Sequence, residues 1–597
     1  MSKRLFQLCV GLWAICGSSD LRAAIVTWNA QSSTSGPSDG SGTWNQSNGN
    51  RVWWNGSSRV SWTDGNDAVF GSTTSGNYTI AIGANITVRS LTFNLSTYTI
   101  GSSSRTFTLS SGNATVAGGA NATINQSISG SSGLTKLGAG TLTLGGANAY
   151  SGATTVSAGV LDLRNNAALG TTSDAASVAG GAALQVDGSG LIIAEPVSAL
   201  VGSGISGGGA LRNLANNNTW SGAITLGSGG ARINSDGGTL ILSGGISGAG
   251  QPLTVGGAGN VTISGVIGTT TGTLTKDGTG TLTLSGANTY SGATTVSSGT
   301  LRLGTAGAIG DTSDVSVSSG ATFDVNGNVE TIGSLAGAGN VTLGAGHLTT
   351  GGNNRSRSHS GAISGTGSLT KTGTGTFIFS GNNSYTGATT VNAGILRVTG
   401  NTATSQFTVS NGGTLGGTGT IGDFILHLGG AVSPGGSPGT LNSGSQTWDG
   451  GANYVWEINQ AHGTKGADPG WDFLNIGGTL SIGAASDSKF NLKITSLSSG
   501  GSAGQLGDFD GLQNYAWTIA TASGGIIGFD PLKFNLDASA FQNELSGGSF
   551  GITQSRNDLN LTFSAVPEPH EYAVATAVAL LGFAAWRRSR QLVNRKS

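Results

Sequence analysis

Charge, cysteine and proline are all scarce in this chain. Only 9% of its 597 residues are Asp, Glu, Lys or Arg, and the 27 basic residues nearly cancel the 28 acidic ones. A chain so balanced has no field with which to gather a polyanion, so nucleic acid is not expected as a partner. The two cysteines, Cys9 and Cys16, both fall in the first 24 residues, which leaves the rest without disulfides or thiolate metal sites. Cys16 follows Ile15 rather than a small residue, which argues against a lipoprotein signal. His347, His359, His427 and His462 are scattered with no His-x-x-x-His spacing, and are expected as solvent-facing turn residues rather than metal ligands. Phosphate loops and calcium-binding nonapeptide arrays are missing too, so no cofactor or metal is expected.

What is abundant is repetition. The segment Gly-Leu-Thr-Lys-Leu-Gly-Ala-Gly-Thr-Leu-Thr-Leu-Gly-Gly-Ala-Asn-Ala-Tyr-Ser-Gly-Ala-Thr-Thr-Val from Gly133 returns as near-copies at Thr273 and Ser368. The copies keep Lys136, Lys276 and Lys371; Tyr150, Tyr290 and Tyr385; Gly152, Gly292 and Gly387; and Val156, Val296 and Val391. Ala-Leu-Gly-Thr-Thr-Ser-Asp at Ala168 also matches Ala-Ile-Gly-Asp-Thr-Ser-Asp at Ala308, so a block longer than the short repeat is duplicated.

Within a copy, apolar and small polar residues alternate. Leu142 and Leu144 flank Thr143, and Leu161 and Leu163 flank Asp162; Leu282, Leu284, Leu301 and Leu303 repeat the pattern, as do Phe377, Phe379, Leu396 and Val398. Period two means short strands with one buried face. Glycine, the commonest residue at 107, supplies the corners between them. Such short strands cannot bury a face alone, but stacked on the next repeat they can. The expected fold is all-β: a right-handed parallel β-helix, or solenoid, whose apolar row fills a narrow lumen. A disordered Gly/Ser/Thr linker is the alternative, and the regular alternation argues against it. The repeated lysines fall on the polar phase of this reading. They are expected on a solvated outer face, or as a spaced basic row toward acidic glycan.

Read from Lys276, Lys-x-Gly-x-Gly-Thr-Leu-Thr-Leu-Ser-Gly-Ala-Asn-Thr-Tyr-Ser-Gly-Ala-Thr-Thr-Val resembles the autotransporter-associated β-strand repeat of bacterial surface-protein passenger regions. The resemblance covers residues 133–163, 272–303 and 367–398, with degenerate copies such as Gly238–Ile267 between them.

The ends read as addresses. Met1–Ala24 has Lys3 and Arg4, an apolar Leu5–Cys16 and a small-residue Ala23-Ala24, the pattern of a secretory signal for the Sec machinery. At the other end, Val566-Pro567-Glu568-Pro569 precedes an apolar stretch from Tyr572 to Trp586 and then Arg587, Arg588, Arg590, Arg595 and Lys596. With its neighbours this stretch is expected as a transmembrane helix with a cytoplasmic basic end. The tail resembles a PEP-CTERM sorting signal, which implies recognition of Pro567, Glu568 and Pro569 by an exosortase in a Gram-negative bacterium. His570 and Glu571 stand where that family carries Ser or Thr. The stretch beyond Thr440 lacks the alternating strands of a β-barrel translocator.

Two flanking regions remain. Trp28, Trp44, Trp53, Trp54 and Trp62 lead into Asp64-Gly65-Asn66-Asp67-Ala68-Val69-Phe70, either as a cap that seals the solenoid or as a platform for sugar rings. After Ser433-Pro434-Gly435-Gly436-Ser437-Pro438-Gly439 come Trp448, Trp456, Trp471 and Trp517, with Glu457, Asp468, Asp472, Asp508 and Asp510. This reads as a β-rich region that closes the solenoid, or as a separate sandwich. Asp508-Phe509-Asp510 is the one pattern that sets two carboxylates on one side of a strand, the arrangement polysaccharide-cleaving enzymes use.

The expected organisation is a signal peptide over 1–24, a Trp-rich cap and first turns over 25–115 and a repeat solenoid over 116–430. A β-rich region over 431–565 and the sorting tail over 566–597 complete it. At roughly 20–25 residues per turn the solenoid would be a rod on the order of 80–100 Å long. The resemblances imply an exported structural or adhesin-like protein, not an enzyme. It would be held in the inner membrane before processing and displayed at the cell surface or in the matrix afterwards, with extracellular polysaccharide as a partner. The alternative is a glycan-binding or polysaccharide-degrading β-helix.

Overall fold

The computed structural model describes residues 23–31, 36–47, 49, 51–436, 438–566 and 569–593. The secretory signal up to Arg22, the sorting residues Pro567 and Glu568, and Arg595 and Lys596 therefore lie outside the described residues. The chain falls into two compact units, Met1–Gln185 and Val186–Ser597. Each is a parallel β-solenoid of the right-handed type.

In the first unit, Asp67–Phe70 pairs in parallel with Ile86–Phe93, which pairs with Phe107–Val116, which in turn pairs with Leu134–Leu137. A second wall stacks Asn77–Ile82, Thr97–Ile100, Asn121–Ile124 and Thr141–Leu144 in the same way. Because the register is residue-on-residue, Ile80, Ile100, Ile124 and Leu144 form one buried column. The N-terminal end breaks the parallel rule: Trp53–Trp54 runs antiparallel to Ile25–Trp28 and to Arg59–Val60. There Trp28, Trp44 and Trp53 are fully buried and Trp62 nearly so. Their rings pack edge to face, with Trp44 centred 4.9 Å from Trp53 and 4.7 Å from Trp62. These four indoles spend their faces on one another, while Trp54 is half-buried.

Asp39 pins the chain above this cluster. Its carboxylate accepts from the backbone nitrogens of Ser72, Thr73 and Thr74 and from the Tyr98 hydroxyl. Burial alone would raise its pKa, but these bonds together outweigh that and hold it below the ordinary value.

In the second unit one wall stacks Thr239–Leu242, Asn260–Ile263, Thr281–Leu284 and Thr300–Leu303, all in parallel. Parallel pairing runs on through the glycine- and proline-rich break: Ala431–Pro434 lies on Gly413–Gly417, and Thr440–Ser443 lies under Phe473–Ile476. Regular coiling ends only near the C-terminus, where the hairpin Ser549–Ser555 and Asp558–Ser564 pairs antiparallel with Tyr515–Ala522. The fully buried Asp472 fastens the break, accepting from Gly439 N at 2.9 Å and Glu457 N at 3.1 Å. Burial, with the Glu457 charge beside it, pushes its carboxyl well above the usual range.

The expected transmembrane helix is corrected. Pro569–Val593 is helical, yet among the described residues no helix is long and apolar enough to cross a membrane. The apolar run from Tyr572 to Trp586 counts 15 residues, between His570-Glu571 and Arg587-Arg588. At about 1.5 Å per residue it reaches roughly 22 Å, short of the ~30 Å hydrocarbon core.

The lumen columns should dominate stability. Leu284 is fully buried between Ile263 and Leu303. Leu284→Ala is expected to cost about 2–5 kcal/mol. Thr283→Ala, on the outer face of the same strand, should change stability by less than about 0.5 kcal/mol. Urea unfolding of the two variants against the parent checks both.

Candidate functional site

The repeated lysines invite a surface-site reading, and the structure places them inside. Lys136, Lys276 and Lys371 are at most 2% exposed. Each lies on the same strand face as the buried leucine two residues before it, in register with Val156, Val296 or Val391 of the next coil. The outer-face reading fails because Lys136 stands two residues after Leu134 and six before Leu142, the buried phase on either count, so its charge and not its position had suggested solvent.

Each ammonium turns into that corner. Lys136 Nζ donates to the carbonyls of Leu137, Gly138 and Ala158 at 3.0, 2.7 and 3.0 Å. Lys276 repeats this with Asp277, Gly278 and Ser298 at 2.6, 2.8 and 3.1 Å, and Lys371 with Thr372, Gly373 and Ala393 at 2.6, 2.8 and 3.1 Å. All three protons are used, two within the turn and one on the next coil. Burial pulls each pKa down to about 8, which leaves the groups protonated at neutral pH. They are clips between coils, and no basic row faces outward.

The tyrosines and glycines serve the same end. Tyr150, Tyr290 and Tyr385 are buried, each hydroxyl meeting the threonine four residues on: Thr154 at 2.8 Å, Thr294 at 2.8 Å and Thr389 at 2.5 Å. In the later copies the chain of hydroxyls continues to Ser313 and Ser405, which donate to the carbonyls of Gly292 and Gly387. A Cβ at Gly152 would lie 2.4 Å from Gly133 N, and one at Gly292 or Gly387 would lie 2.2 Å from a carbonyl oxygen of the coil before. Only hydrogen fits there.

Sequence reasoning passed over Asn148, Asn288 and Asn383. Asn148 Oδ1 accepts from Ile128 N on the preceding coil, while its Nδ2 donates to Ala168 O on the following one, at 2.9 and 2.6 Å. Asn288 bridges Ile267 N and Ala308 O in the same way, and Asn383 bridges Ile363 N and the Thr402 hydroxyl. The signal was available: each stands 12 residues after the lysine and two before the tyrosine.

The histidines divide. His427 and His462 are exposed, but His347 is half-buried within a strand and His359 is 1% exposed, which corrects the turn-residue reading for these two. Burial drives the His359 pKa down to about 4. Among the described residues no group of three or more His, Cys, Asp or Glu side chains could hold a metal.

Asp508 and Asp510 do not act together. Asp508 accepts from Ala461 N and His462 N at 2.7 and 2.9 Å, whereas Asp510 closes a local turn by accepting from Leu512 N at 3.0 Å. Each carboxylate is committed to a different segment. Glu330, which sequence reasoning did not single out, is 1% exposed and accepts from Ala308 N and Ile309 N at 3.0 and 2.8 Å. Burial lifts its pKa to about 7 against these bonds. Of the tail residues, Val566 is exposed, Pro569 opens the helix, and Arg587, Arg588 and Arg590 lie on it.

Residues 134–163, 274–303 and 369–398 match the passenger-associated-transport-repeat family, the same three cassettes. An extracellular serine protease of Serratia marcescens is 33% identical over 221 residues, 37% of this chain and 20% of that protein. An adhesin autotransporter, BmaC, of Brucella suis is 45% identical over 113 residues, 17% of this chain and 3% of that protein. The chain thus spans a fifth or less of the curated relatives it matches. The Haemophilus influenzae Hap adhesin structure aligns with a TM-score of 0.35 at 12% identity, over 84% of this chain and 64% of that one.

Two outcomes follow. Lys276→Met keeps the stem but strips three buried carbonyls of their donor, and should cost roughly 1–3 kcal/mol in urea unfolding. Glu330 binds its proton more tightly folded, near pH 7, than unfolded, near 4.5. Its contribution is therefore fully present below pH ~4.5 and lost as pH rises through ~7. The parent should lose stability across that window relative to Glu330→Gln, read as the difference between their unfolding midpoints at each pH.

Proposed function

We propose that this is an exported, surface-displayed structural solenoid with an adhesin-like role, not an enzyme. The observation that carries it is the fate of the repeated side chains. The repeated Lys, Asn and Tyr side chains, including the only charged one that all three copies keep, are turned inward, and Lys and Asn join coils there. Such a repeat selects for length and rigidity, and leaves the outer face free to vary. The similarity to an adhesin autotransporter and to a secreted protease supports export to a Gram-negative cell surface. The secretory pattern of Met1–Ala24 supports entry by the Sec route.

The tail is proposed as a sorting signal for an exosortase, read through Val566, Pro567, Glu568 and Pro569. Support comes from the motif and from its position directly after the last strand, Asp558–Ser564, with Val566 exposed. Extracellular polysaccharide is the proposed matrix partner. In the native host, antibody to residues 274–303 should find the parent at the cell surface or in the matrix, lacking the segment beyond Pro569 by mass spectrometry. Substitution of Pro567, Glu568 and Pro569 by Ala should leave a full-length product inside the cell envelope. Equal display and equal C-termini of both forms would remove the sorting reading.

A further inference from the structure

Most corners of the second unit are only a few residues long, yet near its C-terminal end two excursions leave the wall. Residues 459–472 leave after Asn453–Ile458, and residues 497–514 leave after Phe490–Ser496. Structureless stretches of the second length are uncommon in compact domains and tend to serve binding. The two meet. Asp508 of one accepts from Ala461 N and His462 N of the other, and the His462 ring stands 3.4 Å from the same carboxylate. Between them lies a half-open cleft of about 430 Å³, in the size range of small-ligand sites.

We propose that this cleft binds a neutral saccharide. Its lining carries neither lysine nor arginine, which disfavours an anion, and offers Asn459, Gln460, Asp468, Ser499 and Asp508 beside the apolar edge of Pro469. Carboxylates accept from vicinal hydroxyls, carboxamide and hydroxyl groups both donate and accept, and a proline ring suits the C–H face of a sugar. Among the described residues, here as elsewhere, no group of three or more His, Cys, Asp or Glu side chains could hold a metal. The polar groups are held before any ligand arrives. The buried Asn459 accepts from Gly470 N at 2.8 Å and donates to Asp468 Oδ1 at 2.7 Å, while Asp508 is fixed by its two backbone bonds. Groups fixed in this way lose little freedom on binding. The proposal does not rest on how the chain is sorted or displayed.

The test is saturation-transfer difference NMR on the full chain with cellotetraose, maltotetraose and mannotetraose, and spermine as a cationic probe. At least one tetrasaccharide should receive saturation. Gln460→Ala, which spares the bonds that join the excursions, and Asp468→Ala should each weaken it roughly ten-fold, the size of one hydrogen-bonding group. Asn217→Ala, in a separate polar hollow, should leave it unchanged. Overturning results are no transfer to any of the three sugars, transfer indifferent to both cleft variants, or a cleft that takes spermine and no sugar.

Discussion

Parallel stacking in exact register is the constraint on which the rest depends. A coil of about twenty residues places each side chain over its counterpart, so lumen side chains stack in columns and each corner meets a corner. Corners are where backbone carbonyls and amides lose their ladder partners, and a buried one left unpaired is costly. The repeat answers with side chains that reach from one coil to another. Lys276 takes two carbonyls of its own corner and one of the next, and Asn288 joins the coil before to the coil after. The glycines are the complement of this device: the backbone of Gly292 passes so close to Gly272 O that no side chain fits between.

This explains why a charged residue recurs in a lumen. Burying an ammonium is unfavourable unless all its protons are bonded. Three carbonyls at 2.6–3.1 Å meet that condition in the second copy. The cost survives as a pKa lowered to about 8, so the clip is protonated at neutral pH and weakens in alkali.

Much of the fold was legible in the sequence, because a period of two and a long-range repeat both leave direct marks. Leu282, Leu284, Leu301 and Leu303 are buried as the alternation requires. The lysines were misplaced because their charge was read as a mark of solvent, although Lys276 keeps the period-two phase of Leu274 and Leu282, both buried. His359 was misread for a related reason: a lone histidine carries no periodic signal, and its burial depends on the register of its strand under Phe379. The C-terminal cleft was the least legible part. Its carboxylates come from separate excursions, and Asp508 meets Ala461 and His462 across more than 45 residues of chain. The pair the sequence suggested, Asp508 with Asp510, is split by the turn that Asp510 closes with Leu512.

The regular coils and the irregular segments therefore divide the work. Repeated residues join coils, and the places that depart from the repeat carry whatever is specific: the tryptophan-lined end of the first unit and the paired excursions of the second. This division is common where a rigid scaffold presents loops.

Amine-reactive footprinting of the native protein tests the central claim most directly, with peptide mass spectrometry reading each lysine. The account predicts that Lys136, Lys276 and Lys371 stay unmodified under conditions that label the exposed Lys465, Lys489 and Lys493, and that they label only after unfolding. Labelling of the three repeat lysines at the rate of the exposed set would contradict it, and would return them to the outer face as a basic row.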